Sequence, residues 1–242
     1  MLYTKEMVSG RDINLSKYNL GTIKQITVDD CMGEYDAQDY VQSFFVERIW
    51  KVNGYLDEND IPFTLFCASL VNAPKLEKIF MDTLDILYQG KEVRVVPFDE
   101  GIKIIIYDNK KPIAFIDDSN FDMLCQVVSQ MMFYDEPQKQ VEEHIEGNPE
   151  DIALFKKAER EFKEKQRKKN EICFEERVRE LIHMKNCFYD DIKNLTIWQF
   201  EDLYRTLLYK ENYELSYQFA SSGNFKMKEI EDWKKQTKIK RG

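Results

Sequence analysis

Carboxylate pairs are the residues of this chain whose type and spacing come nearest to chemistry: Asp29-Asp30, Asp57-Glu58, Asp99-Glu100, Asp117-Asp118, Glu142-Glu143 and Asp190-Asp191. Adjacent carboxylates can hold a divalent cation and so assemble a hydrolytic site. Two of the pairs bound a β-rich stretch, where a metal-dependent nuclease would carry them. Such a site also needs a Lys two residues beyond a second acidic residue on a strand. Glu92-Val93-Arg94 and Glu100-Gly101-Ile102-Lys103 are the nearest approaches, and neither has that spacing. Acidic residues at turns, accepting hydrogen bonds from the backbone, are the simpler reading.

Other chemistry fares no better. The histidines are His144 and His183. His183 and Cys187 stand i,i+4, on one helix face, but no second pair of ligands faces them, so no zinc site is expected. Ser9-Gly10 and Ser221-Ser222-Gly223 read as turns, not as a Gly-x-Ser-x-Gly elbow. No Gly-x-x-x-x-Gly-Lys loop cradles a phosphate. The expectation is therefore no catalytic residue, no cofactor and no metal.

Stepping outward, 242 residues suffice for one large domain or two small ones. Hydrophobic residues make up 43%, aromatics 13% and charged residues 33%, enough for a packed core with a solvated surface. No apolar run approaches the ~20 residues that cross a bilayer, and the first residues show no basic-then-apolar leader pattern. The cysteines Cys31, Cys67, Cys125, Cys173 and Cys187 are odd in number and widely spaced, which suits reduced thiols in a cytosolic protein. Residues 1–149 hold 14 Lys/Arg against 26 Asp/Glu, a net of −12; residues 150–242 hold 21 against 18, a net of +3. An acidic first half is a poor nucleic-acid surface. The last nine residues, Lys234 to Gly242, carry five Lys/Arg and read as a solvated basic tail.

The periodicity predicts an α+β, mostly helical protein. Gly21 to Thr27 alternates as a short strand, and Thr27 with Asp30 resembles a helix start before Val28 to Tyr35. Apolar residues at helical spacing mark Asp39 to Val52, stopped by Gly54. Ile61 to Leu70 is an apolar, buried run. Pro74 opens a helix that Gly90 ends. Glu92 to Phe98, Gly101 to Tyr107 and Pro112 to Ile116 then form a three-stranded antiparallel meander, with Ile102, Ile104 and Ile106 on the face that meets helices and Lys103 and Ile105 opposite. Asp118 or Ser119 caps a helix through Phe121 to Met132.

Pro137, Gly147 and Pro149 mark a linker. A charged helix with a thin apolar stripe follows to about Lys169. Phe174 to Met184 is the next helix. Asn194 or Thr196 starts Ile197 to Tyr209, and Tyr213 to Ala220 is read as a further helix, ended by Gly223. The expected division is an α+β domain at 1–134 carrying the meander, a linker at 135–148, and a helical domain at 149–242 with the basic tail.

The block Leu195-Thr196-Ile197-Trp198-Gln199-Phe200-Glu201-Asp202-Leu203-Tyr204, then Gly223 and a final Trp233-Lys234-Lys235, resembles tail-module proteins of tailed bacteriophages infecting low-GC Gram-positive bacteria. The order of an α+β part, a meander, a helix at Asn120 to Met132, a Pro-bearing linker and a charged helix fits that likeness. Within this class it is similar to the tail assembly chaperone encoded beside the tape-measure protein. The resemblance implies a non-enzymatic protein in the host cytoplasm that binds the tape-measure protein, or other tail proteins, with self-association possible. Small chaperones of this class are often all-helical, whereas this chain has a meander. The rival is a virion subunit of tail, connector or baseplate; a nucleic-acid-binding regulator or nuclease ranks third. Neither membrane nor nucleic acid is an expected partner. The candidate partner-binding residues are Trp198, Phe200, Tyr204, Tyr217, Phe219 and Trp233.

Overall fold

A computed structural model describes residues 3–44, 63–98, 101–133 and 173–221, the side chains at 212 and 215–221 excepted. The expected helix at 149–169, the linker at 135–148, most of Asp39 to Val52, and Trp233 with the basic tail lie outside those residues.

The chain starts with helix α1 (Thr4–Ser9), which ends at Gly10 in the left-handed conformation with φ 66°. Strands β1 (Ile13–Asn14) and β2 (Thr22–Ile23) pair antiparallel. Thr27 and Asp30 do form the expected reciprocal cap: Asp30 Oδ2 accepts from the Thr27 amide and hydroxyl, and the Asp30 amide donates back to Thr27 Oγ1. The turn that follows is only a single 3-10 turn at Asp29–Cys31, not a helix to Tyr35. Helix α2 (Ala37–Gln42) begins at a capping box in which Asp36 accepts from the amides of Gln38 and Asp39.

Helix α3 (Phe63–Val71) buries Phe63, Phe66, Cys67, Ser69 and Leu70, while the apolar Leu65 and Val71 are exposed among the described residues. Helix α4 (Pro74–Leu87) has Pro at its first turn, where the missing N–H costs nothing. The meander is present as strands β3 (Glu92–Phe98), β4 (Gly101–Asp108) and β5 (Lys111–Ile116), all antiparallel. Asn109 and Lys110 both take positive φ, 50° and 65°, the two-residue turn whose twist matches the strands it joins. Ile104 and Ile106 are buried on the inner face as expected, Ile102 is half-buried, and Ala114 and Ile116 of β5 join them.

Helix α5 (Phe121–Met131) covers that region. Its N-cap position is Asn120 rather than Asp118 or Ser119. Asn120 is buried, and its side chain joins three pieces of backbone. Its amide donates to Tyr18 O (3.0 Å) and Phe115 O (2.9 Å), and its oxygen accepts from the Asp117 amide (3.0 Å). Asp117 in turn takes the Ser119 amide and hydroxyl. No side chain caps the first turn of α5; the expected cap at 118 or 119 is replaced by backbone bonds from the Asn120 and Phe121 amides to Asp117 O.

Phe44, Phe63, Phe66, Phe80 and Phe121 meet at the centre of this half, with ring centroids 4.6–6.3 Å apart. Such offset and edge-on pairs add to the burial of each ring.

The later elements are α6 (Phe174–Lys185), the single turn α7 (Tyr189–Ile192) and α8 (Ile197–Ser221). Helix α8 is one element of 25 residues, where two helices were expected. The polar stretch Lys210-Glu211-Asn212 contains neither Gly nor Pro, so the backbone has no reason to break. The overall architecture is thus α+β, mostly helical, with the three-stranded meander and a helical C-terminal region.

Replacing Asn120 by Ala removes the side-chain partner of two part-buried carbonyls and one amide at once. The expected loss in urea unfolding is about 2–4 kcal/mol. A loss below about 0.5 kcal/mol would show that these bonds do not hold loop, sheet and helix together.

Candidate interaction surface

The start of α8 is built by its own sequence. Thr196 Oγ1 accepts from the Gln199 amide, and Gln199 Oε1 accepts from the Thr196 amide, closing a capping box. The Gln199 side-chain amide also donates to Val8 O at 3.0 Å, which ties α1 to this cap. The Thr-x-x-Gln spacing therefore serves both helix initiation and docking.

The segment leading into α8 pairs with the N-terminal part. The Ile197 amide donates to Ile26 O (2.9 Å), the Val28 amide to Leu195 O (2.9 Å) and the Asp29 amide to Lys193 O (3.0 Å). Thr27 and Thr196 form an antiparallel bridge between these bonds. Tyr189 Oη donates to Asp29 Oδ1 at 2.9 Å.

This docking decides where the candidate residues lie. Trp198 is 2% exposed, Phe200 0% and Tyr204 5%. Trp198 lies 5.4 Å from Phe133, next to α5, with the two rings tilted at 33°. Phe200 meets Phe174 of α6 at 5.2 Å and Tyr204 at 5.9 Å. Tyr204 Oη donates to Glu180. Burial first, and then that carboxylate, push the Tyr204 phenol up to about 12. All three rings are packed by contacts within this chain, as members of a dense aromatic core of the helical part. Tyr217 and Phe219 fall on the last turns of α8, where only the backbone is described.

Glu201 is a buried carboxylate on the same helix. It pairs with Arg177 of α6, whose guanidinium also lies 5.5 Å from the Phe174 ring centroid. A buried pair of this kind adds little net stability but penalises any packing of α6 on α8 that separates it.

Beyond the core, α8 turns outward. Tyr209 is 39% exposed, Lys210, Glu211 and Glu214 are exposed and Tyr213 is half-buried.

A second surface escaped the sequence reading. The strand register sets Arg94, Ile105 and Phe115 side by side, next to Val96 and Lys103, on the face away from the core. Phe98 is 48% exposed and Ile113 39%. Lys103 Nζ sits 5.5 Å from the ring centroids of both Phe98 and Phe115 and bonds Asp117 at 3.1 Å. Arg94 lies 5.0 Å from the Tyr107 centroid. An open depression of about 410 Å³ runs between this face and the loop at Ser16 and Asn19. The signal was available: a half-buried strand alternates apolar with polar, whereas Ile105, Phe115 and Val96 make the meander apolar on both faces.

Two of the described cysteines, Cys31 and Cys67, are buried thiols held in the neutral form. Burial, and then nearby Asp30 and Asp36, push the Cys31 thiol up. Burial, with Asp118, raises Cys67 to about 12. Neither ionises near neutral pH. Among the described residues no cluster of three His, Cys, Asp or Glu could hold a metal ion, and no helix is long and apolar enough to cross a membrane.

A family model described as the YomV second domain matches residues 165–238. That segment takes in α6, α7 and α8. No curated protein and no solved structure matches the chain. The likeness to YomV suggests a phage-derived protein and belongs to the C-terminal third; the meander lies outside it.

Trp198→Ala should lower stability by about 3–5 kcal/mol, the range for emptying a large aromatic site. Trp198→Phe should lose much less, because the indole Nε1 has no acceptor among the described residues. Chemical denaturation of both variants checks this; equal and small losses would contradict the burial.

Proposed function

We propose that this chain is a non-enzymatic phage protein of the tail module, a tail assembly chaperone that binds the tape-measure protein in the host cytoplasm. The observation that carries the reading is the YomV second-domain match over residues 165–238, which suggests phage derivation for the same segment that bears the tail-module resemblance. The geometry supplies what such a role requires. Its aromatic cluster anchors α6 to α8, while the outward part of α8 extends from that anchor with Tyr209 and Tyr213 along it.

A long helical client is aggregation-prone because its apolar stripe has no fixed partner until the tube closes around it. A helix lays such a stripe against another helix or into a groove, using anchors at i, i+3, i+4 and i+7. Positions 209, 213 and 217 recur every four residues on α8 and so fall on one side of it. Trp198, Phe200 and Tyr204 act one step back, by holding α8 in place. Trp233 lies in the same matched segment and completes the candidate set.

The test is affinity capture of the tagged chain expressed with its neighbouring genes, with mass spectrometry of the eluate and of purified particles. A very long helical partner in the eluate, with this protein absent from particles, is the expected result. Stoichiometric presence in particles would replace the proposal with a virion subunit. Within the complex, Tyr213→Ala should weaken capture about fivefold or more without altering the melting temperature; Trp233→Ala should do the same.

A further inference from the structure

We infer that β3 is a self-complementary edge strand through which two copies of this chain pair, joining their meanders into one six-stranded sheet. This rests on the meander, outside the segment that resembles YomV, and does not depend on the chaperone reading.

The two edges of the sheet differ. The β5 edge is closed from within the chain, since the Phe115 amide donates to Asn19 O at 3.0 Å and Asn120 bridges Tyr18 O to Phe115 O. On the other side β3 pairs with β4 alone, and among the described residues no strand lies beyond it. An open, partly apolar edge is a template for another strand.

Which β3 groups face outward follows from alternation. The two-residue turn at Asn109-Lys110 closes on Asp108 and Lys111, so Asp108 points its backbone groups at β5. Counting back two at a time, Ile102 points the same way. It lies past the end of β5, and its amide donates to Thr64 Oγ1 at 3.3 Å instead. Pro97, opposite Ile102, therefore turns its nitrogen to the free edge, where a missing N–H breaks no bond to β4. Val93 and Val95 share that phase, so their amides and carbonyls face outward. Val95 is also 52% exposed.

The side chains select the partner. Glu92 and Arg94 lie on the same outer face, flanking Val93, and within one copy they pair at 2.5 Å. When a second copy approaches antiparallel with the two Val93 residues on the twofold axis, Glu92 of each faces Arg94 of the other. Lys91 of each then lies opposite Val95 of the other, its stem over the exposed valine. Both Pro97 residues fall beyond the ladder. Strands with opposite charges directly across from one another attract, and like charges repel. The arrangement also makes the apolar outer faces of the two sheets continuous.

Analytical ultracentrifugation of the full chain over a concentration series tests this. The wild-type chain should show a reversible monomer–dimer equilibrium. Arg94→Glu places Glu opposite Glu twice and should weaken the dimer about tenfold or more. The double variant E92R/R94E restores opposite charges in the same register and should recover it. Val95→Pro removes an outward amide without touching the β4 ladder and should leave a folded monomer, with its melting transition retained. A wild-type chain that stays monomeric throughout overturns the inference. So does a dimer indifferent to both Arg94→Glu and Val95→Pro, or a double variant no better than Arg94→Glu.

Discussion

The structure depends on a short backbone ladder between residues far apart in the chain. Ile26, Val28 and Asp29 exchange hydrogen bonds with Lys193, Leu195 and Ile197, and Thr27 faces Thr196 across them. Each strand of the ladder carries its own cap, Thr27 with Asp30 and Thr196 with Gln199. Local chemistry thus stiffens both segments before they meet, which lowers the entropy that their pairing must overcome. The ladder sets the origin and direction of α8. From that origin Trp198 reaches Phe133, Phe200 reaches Phe174, and Gln199 reaches Val8.

A consequence is one continuous hydrophobic core, running from Met7 and Ile13 through the phenylalanine cluster to Phe200 and Tyr204. The segments on either side of the expected linker share that core. The match to the YomV second domain nonetheless begins at residue 165, near the expected start of the helical domain at 149. A unit recognisable by sequence and a unit of packing need not coincide, because side chains bury against whatever apolar surface the topology brings near. Here the first half offers Phe133 and the Ile26–Asp29 backbone, and the second half uses both.

Much of the fold was legible. Pro74, the alternation of Ile102, Ile104 and Ile106, and the Asp108 to Lys111 turn mark their elements through short-range sterics and hydrogen bonding, which depend on nearby residues alone. Misses came where a long-range partner decided the outcome. Val28 to Tyr35 forms one 3-10 turn in place of the expected helix, while the Val28 and Asp29 amides bond the ladder and Tyr35 is buried. The side-chain cap expected before α5 did not form; Asn120, at the N-cap position, spends its side chain on Tyr18, Phe115 and Asp117 instead. For the candidate residues at 198–204, helical spacing favours a core role, but aromatic density by itself cannot say whether a ring faces its own chain or another.

By itself, the sequence determined the helix opened by Pro74, the meander and the turn chemistry, since each follows from residue type and spacing over a few positions. Only the tertiary structure decided that α8 docks on Ile26–Asp29, that Trp198, Phe200 and Tyr204 are enclosed, and that one edge of the sheet is closed by Asn19 while, among the described residues, β3 has no strand beyond it. Those outcomes turn on which surfaces meet across a hundred or more residues. Periodicity is blind to that, because an apolar face has the same spacing whether its partner is a helix of this chain or another molecule.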